Sequence, residues 1–180
     1  MIFLEIMYIC RKTTRVMKTL MAFSLLTTLF AALSCDSAAA RFTESKLLSY
    51  NYSYSGTMAH PITWYRVDTD ENGTVRLSWS KYGPDITVLR APQDLLDRIA
   101  QMARDSKLHK LKENYRTRLN VLDGYSWHLE LRYEEGKIYS GGYHSWPNAK
   151  LRGGIEAINA CLEEIIQNAT EADVIGHETH

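Results

Sequence analysis

The dipeptide Asn72-Gly73 constrains this chain more than any other feature, because it sits between two runs of alternating apolar and polar residues. A two-residue turn of the I′ type needs positive φ at both central positions, and Asn-Gly accepts it at little cost. The flanking runs, "ITWYRVDT" and "TVRLSWS", are therefore predicted to pair as adjacent antiparallel strands, with Val75, Leu77 and Trp79 on one face. The same device recurs downstream. Asp123-Gly124 precedes "YSWHLELRY", where Trp127, Leu129, Leu131 and Tyr133 share a face, and Glu135-Gly136 turns the chain into "KIYSGGY". Upstream, Tyr50, Tyr52 and Tyr54 alternate with Asn51, Ser53 and Ser55, which predicts a strand with an aromatic face. Gly83-Pro84 breaks the chain before a further short strand, "DITVLR".

Each set of strands runs into an amphipathic helix. Pro92 is placed to open the first, which carries Leu95, Leu96, Ile99, Met102 and Ala103 on one stripe and ends near Leu108. Ile155, Ile158, Leu162 and Ile165 define the second. The expected fold class is α+β, an antiparallel sheet with two helices packed on one face. At an offset of 63, Trp64 falls on Trp127, Gly73 on Gly136 and Pro84 on Pro147, while Leu95, Ile99 and Met102 fall on Ile158, Leu162 and Ile165. That pattern suggests two ββα units, although the facing pattern of the strands matches only after a shift of one residue.

The first 35 residues are set apart from this domain. Met17-Lys18 followed by "TLMAFSLLTTLFAAL" has the short basic start and apolar run of a signal peptide. The run is shorter than the roughly 20 apolar residues that a membrane span requires. Translation from Met17 would suffice for this leader, so Met1 and Met17 are alternative starts. "AALSC" reads as a lipobox ending on Cys35, with Leu33 one position closer to the cysteine than is usual. Cys35 is then the fatty-acylated, palmitate-type anchor of a lipoprotein held in the cell envelope. The alternative is cleavage after "SAAA", before Arg41, giving a soluble periplasmic protein. The resulting plan is a signal peptide with lipobox at 1–35, a tether at 36–46, one α+β domain at 47–168 and a loose polar tail at 169–180.

Cysteine and charge agree with export. Cys10 lies in the leader and Cys35 at its end, so Cys161 alone remains and no internal disulfide can form. Cys161 falls on the apolar stripe of the second helix and reads as a small buried hydrophobe. The leader holds Arg11, Lys12, Arg15 and Lys18 against Glu5, so the whole-chain 21 bases and 21 acids become 17 and 20 after its removal. A mildly acidic exported domain is not a general nucleic-acid binder.

No C-x-x-C, H-E-x-x-H, G-x-S-x-G, P-loop or G-x-G-x-x-G occurs, so zinc, serine-hydrolase and nucleotide chemistry lack a starting motif. No catalytic residue, metal site or cofactor is predicted. Four groups remain as candidates. Tyr143, His144, Trp146 and Asn148 lie in the glycine-flanked loop from Ser140 to Asn148, where aromatic rings offer stacking area for a glycan or peptide. The structural alternative has Trp146 and Pro147 folding back over the hairpin, with Gly141-Gly142 making a bulge. Tyr50, Tyr52 and Tyr54 form either a recognition surface on an edge strand or partly buried core. His128 and His144 could meet across their hairpin, beside Glu130, as general base or metal ligands. Lys107, Lys110, Lys112, Arg116 and Arg118 face only Glu113 in "KLHKLKENYRTR", a run suited to anionic headgroups or an acidic partner, or simply to solvent.

The leader with Cys35, "DGYSWHLELRY", "GKIYSGG", Pro147 and "GGIEAINACLEEI" together resemble a class of small exported lipoproteins from Gram-negative anaerobes. Those motifs are structural, and no established activity comes with the resemblance, so it assigns no catalytic residue. The expected function is that of a non-enzymatic binding or accessory domain, held to the membrane by its lipid and facing an envelope protein or glycan. The alternatives are a small periplasmic hydrolase using His128 or His144, and an enzyme inhibitor acting through the Ser140–Asn148 loop.

Overall fold

Asn72-Gly73 does close a hairpin, but through a three-residue loop, Glu71 to Gly73, rather than a two-residue I′ turn. Gly73 takes φ +81 whereas Asn72 does not take positive φ, the Gly73 N–H donates to the Asp70 carbonyl, and Asp70 N–H donates to the Thr74 carbonyl at 3.0 Å. The Asp70 carboxylate adds bonds from the N–H groups of Asn72 and Thr74, both at 2.9 Å. This geometry comes from a computed structural model that describes residues 42–56, 62–81, 84–117 and 124–179. The leader, Cys35 and Arg118 lie outside the described residues.

The strands are β1 (Leu47–Ser55), β2 (Thr63–Thr69), β3 (Val75–Lys81), β4 (Asp85–Arg90), β5 (Asn114–Arg116), β6 (Ser126–Tyr133), β7 (Lys137–Tyr143) and β8 (Val174–Thr179). They form one sheet in the order β5-β7-β6-β1-β2-β3-β4-β8, antiparallel except for the β5–β7 pair. Two helices, α1 (Leu95–Asp105) and α2 (Ala149–Asn168), pack on it, as the amphipathic stripes require. The fold is α+β.

Register places the core. Tyr50 pairs with Val67 and Leu131, and Tyr52 with Tyr65 and Leu129, so these residues share the helix-covered face and are buried. Their neighbours Asn51, Arg66, Glu130, Ser53 and His128 occupy the opposite face. That face mixes polar groups with Trp64, Ile86 and Val88, and Asp68, its one buried carboxylate among the described residues, is held by Arg66 and Arg76, each at 2.9 Å.

The helices run antiparallel to each other. Arg98 of α1 reaches Cys161 Sγ of α2 at 3.1 Å, while Ser106 at the other end of α1 lies against Gly154. A methyl group on Gly154 would stand 2.3 Å from Ser106 Cβ and 3.2 Å from Leu108 Cδ2, whereas one on Gly153 would meet nothing within 4 Å. Alanine gains about 1 kcal/mol of helix propensity over glycine. Gly153→Ala is therefore expected to raise the denaturant midpoint. Gly154→Ala is expected to lower stability by about 1–3 kcal/mol through overpacking, despite the same propensity gain. Paired chemical denaturation curves check the opposite signs.

Several sequence expectations are corrected. The domain begins at Phe42 rather than Leu47: Phe42 packs edge-on against Tyr133 at 5.7 Å, Thr43 is buried, and Arg104 Nη1 donates to the Thr43 carbonyl at 3.0 Å. The helix predicted to open at Pro92 starts at Leu95, after a turn in which Leu95 N–H donates to the Pro92 carbonyl. The segment after Asn168 is not a loose tail: a Thr170–Asp173 capping box leads into β8, which pairs antiparallel with β4. Of the two readings of the tyrosine strand, the structure has the core one: β1 is central in the sheet, between β6 and β2, with Tyr50 and Tyr52 buried.

The ββα repeat does not extend to the topology. β4 stands between β3 and α1, and the hairpins β2–β3 and β6–β7 lie on opposite sides of β1. Since β2 and β6 both run antiparallel to β1, the two hairpins are arranged as mirror images across it. No rotation or translation that keeps both helices on one face relates such units.

Candidate functional site

Two clusters meet where α2 crosses the helix-covered face near the end of β1. One is aromatic. Trp127, fully buried on β6, stacks with Trp146 at 4.9 Å and 2°, and its Nε1 donates to the Ser145 carbonyl at 2.8 Å. Tyr54 and Tyr125 flank Trp146 at 6.3 and 6.0 Å, Tyr115 tilts against Trp127, and the Arg152 guanidinium lies 5.0 Å from the Trp146 ring. The loop from Ser140 to Asn148 is thus folded back onto its own hairpin, with Pro147 buried. Gly141 and Gly142 do not make a bulge, since both keep the β6–β7 register. Gly142 is required for another reason: a Cβ there would stand 2.3 Å from both Ser145 O and Trp127 Nε1.

The second cluster is polar and was not anticipated. Arg152, Glu156, Asn159 and Glu163 follow helical spacing, each one residue beyond the buried stripe of Leu151, Ile155, Ile158 and Leu162. Arg152 pairs with Glu156 at 2.6 Å. Asn159 Oδ1 accepts from Tyr50 Oη at 2.6 Å, and Glu163 accepts from Tyr65 Oη and from Lys81 Nζ, the latter at 2.8 Å. Beside Tyr65 in the register stands Trp79, whose indole N–H is buried without a hydrogen-bond partner. Tyr52 and Tyr65 stack at 6.2 Å between these groups. The flank of α2 therefore forms a polar seam above a tyrosine floor, and Glu163, Lys81 and Arg152 keep part of their side chains in solvent.

Electrostatics follow from this burial. Desolvation raises the Glu163 carboxyl, but hydrogen bonds from Lys81 and Tyr65 and the Lys81 charge outweigh it and hold the group below its usual value. Burial pushes the Tyr50, Tyr52 and Tyr65 phenols well above 10, and the Glu163 contact adds to the shift at Tyr65. Tyr133 is pushed up to about 12, again by burial. A phenol whose folded value is raised lends stability that is complete below its unfolded value of about 10 and is lost as the pH rises toward the folded one. The fold is accordingly expected to give way in alkali above about pH 10. The part of the tyrosinate absorbance that belongs to these four phenols should rise only together with loss of the circular dichroism signal; ionisation of every tyrosine before unfolding would contradict this burial.

The predicted candidates separate. Tyr50 and Tyr52 are core with their polar ends on α2, and Tyr54 reaches the aromatic cluster. Trp146 belongs to that cluster. His144 takes φ 49 and packs between Tyr125 at 4.9 Å and the exposed Tyr143 at 5.2 Å. Asn148 is the N-cap of α2, its side chain accepting from Leu151 N–H at 3.1 Å, and that role uses the group. His128 lies on the open face of the sheet over Gly141. Among the described residues, no three His, Cys, Asp or Glu side chains gather where a metal ion could be held, and no helix is long and apolar enough to cross a membrane. No family model matches the chain, and no curated protein is significantly similar to it.

Proposed function

We propose that this chain is an exported lipoprotein, held in the envelope by acylated Cys35, and that it acts as a non-enzymatic binding or accessory domain whose ligand lies along the seam of α2. The observation that carries the reading is the seam itself. It sets Arg152, Glu156, Asn159, Lys81 and Glu163 over aromatic floor residues and leaves the Trp79 N–H unpartnered. Alternating hydroxyl, amide and charged groups next to aromatic rings suit an envelope glycan or a polar peptide segment. The resemblance to small lipoproteins of Gram-negative anaerobes is in keeping with this address, and cleavage before Arg41 would keep the export while removing the anchor.

An inhibitor loop at 140–148 is disfavoured by its commitment to the aromatic cluster. The test is site-specific photocrosslinking in the parent cells. A crosslinker at Glu156 should capture one discrete envelope component, whereas one at Arg132, on the open face, should not. Equal capture at both positions, or none at Glu156, would remove the seam as the binding site.

A further inference from the structure

The end of α1 and the start of α2 enclose a depression of about 500 Å³ lined by Ser106, Lys107, Lys110, Asn148, Lys150 and Leu151. Lys112 and Arg116 continue the cationic surface along the chain, and all five basic residues are exposed. Lys107, Lys112, Arg116 and Lys150 make no ion pair among the described residues. The acids nearest in sequence are Asp105, which accepts from Gln101, and Glu113. This cationic concentration stands on a domain whose remainder is acidic, since residues 36–180 carry 17 bases against 20 acids.

Its position relative to the chain's entry point gives the cluster a partner. Thr43 is bonded to Arg104, three residues before Lys107, so the polypeptide arriving from Cys35 enters the domain beside the basic end of α1. Six residues, 36 to 41, separate Cys35 from Phe42. A chain of that length reaches about 25 Å at most. An acyl group on Cys35 would therefore hold this end of the domain within reach of the headgroups. We infer that the cluster of Lys107, Lys110, Lys112, Arg116 and Lys150 docks on anionic phospholipid and fixes how the domain stands on its membrane. The inference rests on the anchored reading above.

Each cation near an anionic leaflet is worth roughly fivefold in partitioning. Neutralising three should weaken docking on the order of a hundredfold. The test is amide hydrogen exchange on the protein as purified from membranes, incorporated in vesicles of phosphatidylcholine with or without phosphatidylglycerol. Segments 106–116 and 148–152 should exchange several-fold more slowly on the anionic vesicles. The protection should vanish in K107Q/K112Q/K150Q and in about 1 M salt, where the Debye length falls to roughly 3 Å. Equal exchange on both vesicle types, or protection that survives the triple substitution, overturns docking and leaves an acidic protein as the partner of the patch. Mass spectrometry of the amino terminus in the same preparation separates the two failures. An unmodified terminus defeats the anchor reading, while the vesicle comparison still decides the docking.

Discussion

Replacing Trp127 by alanine is expected to cost about 4 kcal/mol, enough to leave a domain of ordinary stability largely unfolded at moderate temperature. The indole is fully buried, stacked at 4.9 Å under Trp146 and tilted against Tyr115, and it closes the 140–148 loop through the bond from Nε1 to Ser145 O. Its removal opens a cavity and frees the loop that leads into α2. Trp127→Phe should retain most of the ring contact and lose chiefly the hydrogen bond, at about 1–2 kcal/mol. Urea denaturation followed by circular dichroism measures both. A loss below 1 kcal/mol for the alanine variant would mean that the aromatic cluster does not hold the loop.

Gly142→Ala is the second large effect, and it reaches the same unit from the opposite strand. The new methyl would stand 2.3 Å from the two atoms that form the Trp127–Ser145 hydrogen bond. Neither partner is a flexible chain end, so the loop must lift or the tryptophan must turn. Overpacking of this kind costs about 1–3 kcal/mol, and the lost bond adds to it. Gly142→Ala should also be markedly non-additive with Trp127→Ala, because once the indole is gone the methyl group has room. Strict additivity in that double-mutant cycle would contradict the geometry.

The architecture was legible to the extent that periodicity and turn chemistry are local. Asn72-Gly73 and Glu135-Gly136 named their hairpins, and the face shared by Trp127, Leu129, Leu131 and Tyr133 could be read from alternation alone. Strand order could not. Nothing in "LLSYNYSYS" says that β1 pairs with both β2 and β6, and so the tyrosines remained ambiguous between edge and centre. The polar segment after Asn168 joined the sheet because β4 offered a free edge, and that is a tertiary fact about a stretch without strong propensity.

The site was harder to see for a related reason. Trp146 and Tyr54 were singled out by residue type, and they do meet. Arg152, Glu156, Asn159 and Glu163 were passed over because polar residues beside an apolar stripe ordinarily face water. Their spacing, one step beyond Leu151, Ile155, Ile158 and Leu162, was available as a signal. It gains meaning only when α2 is known to lie over Tyr50 and Tyr65, whose hydroxyls need partners once buried. Asn148 shows the converse error. Its glycine-flanked loop suggested a binding role, whereas the start of a 20-residue helix made it a cap.

The claim that places every other one is export with acylation at Cys35, and intact-mass analysis of the protein recovered from the membrane fraction of its own cells tests it most directly. The account predicts a polypeptide that starts at Cys35 and carries a diacylglyceryl group on that sulfur. A chain that retains its leader, bears no acyl group and is recovered from the cytosol would contradict it.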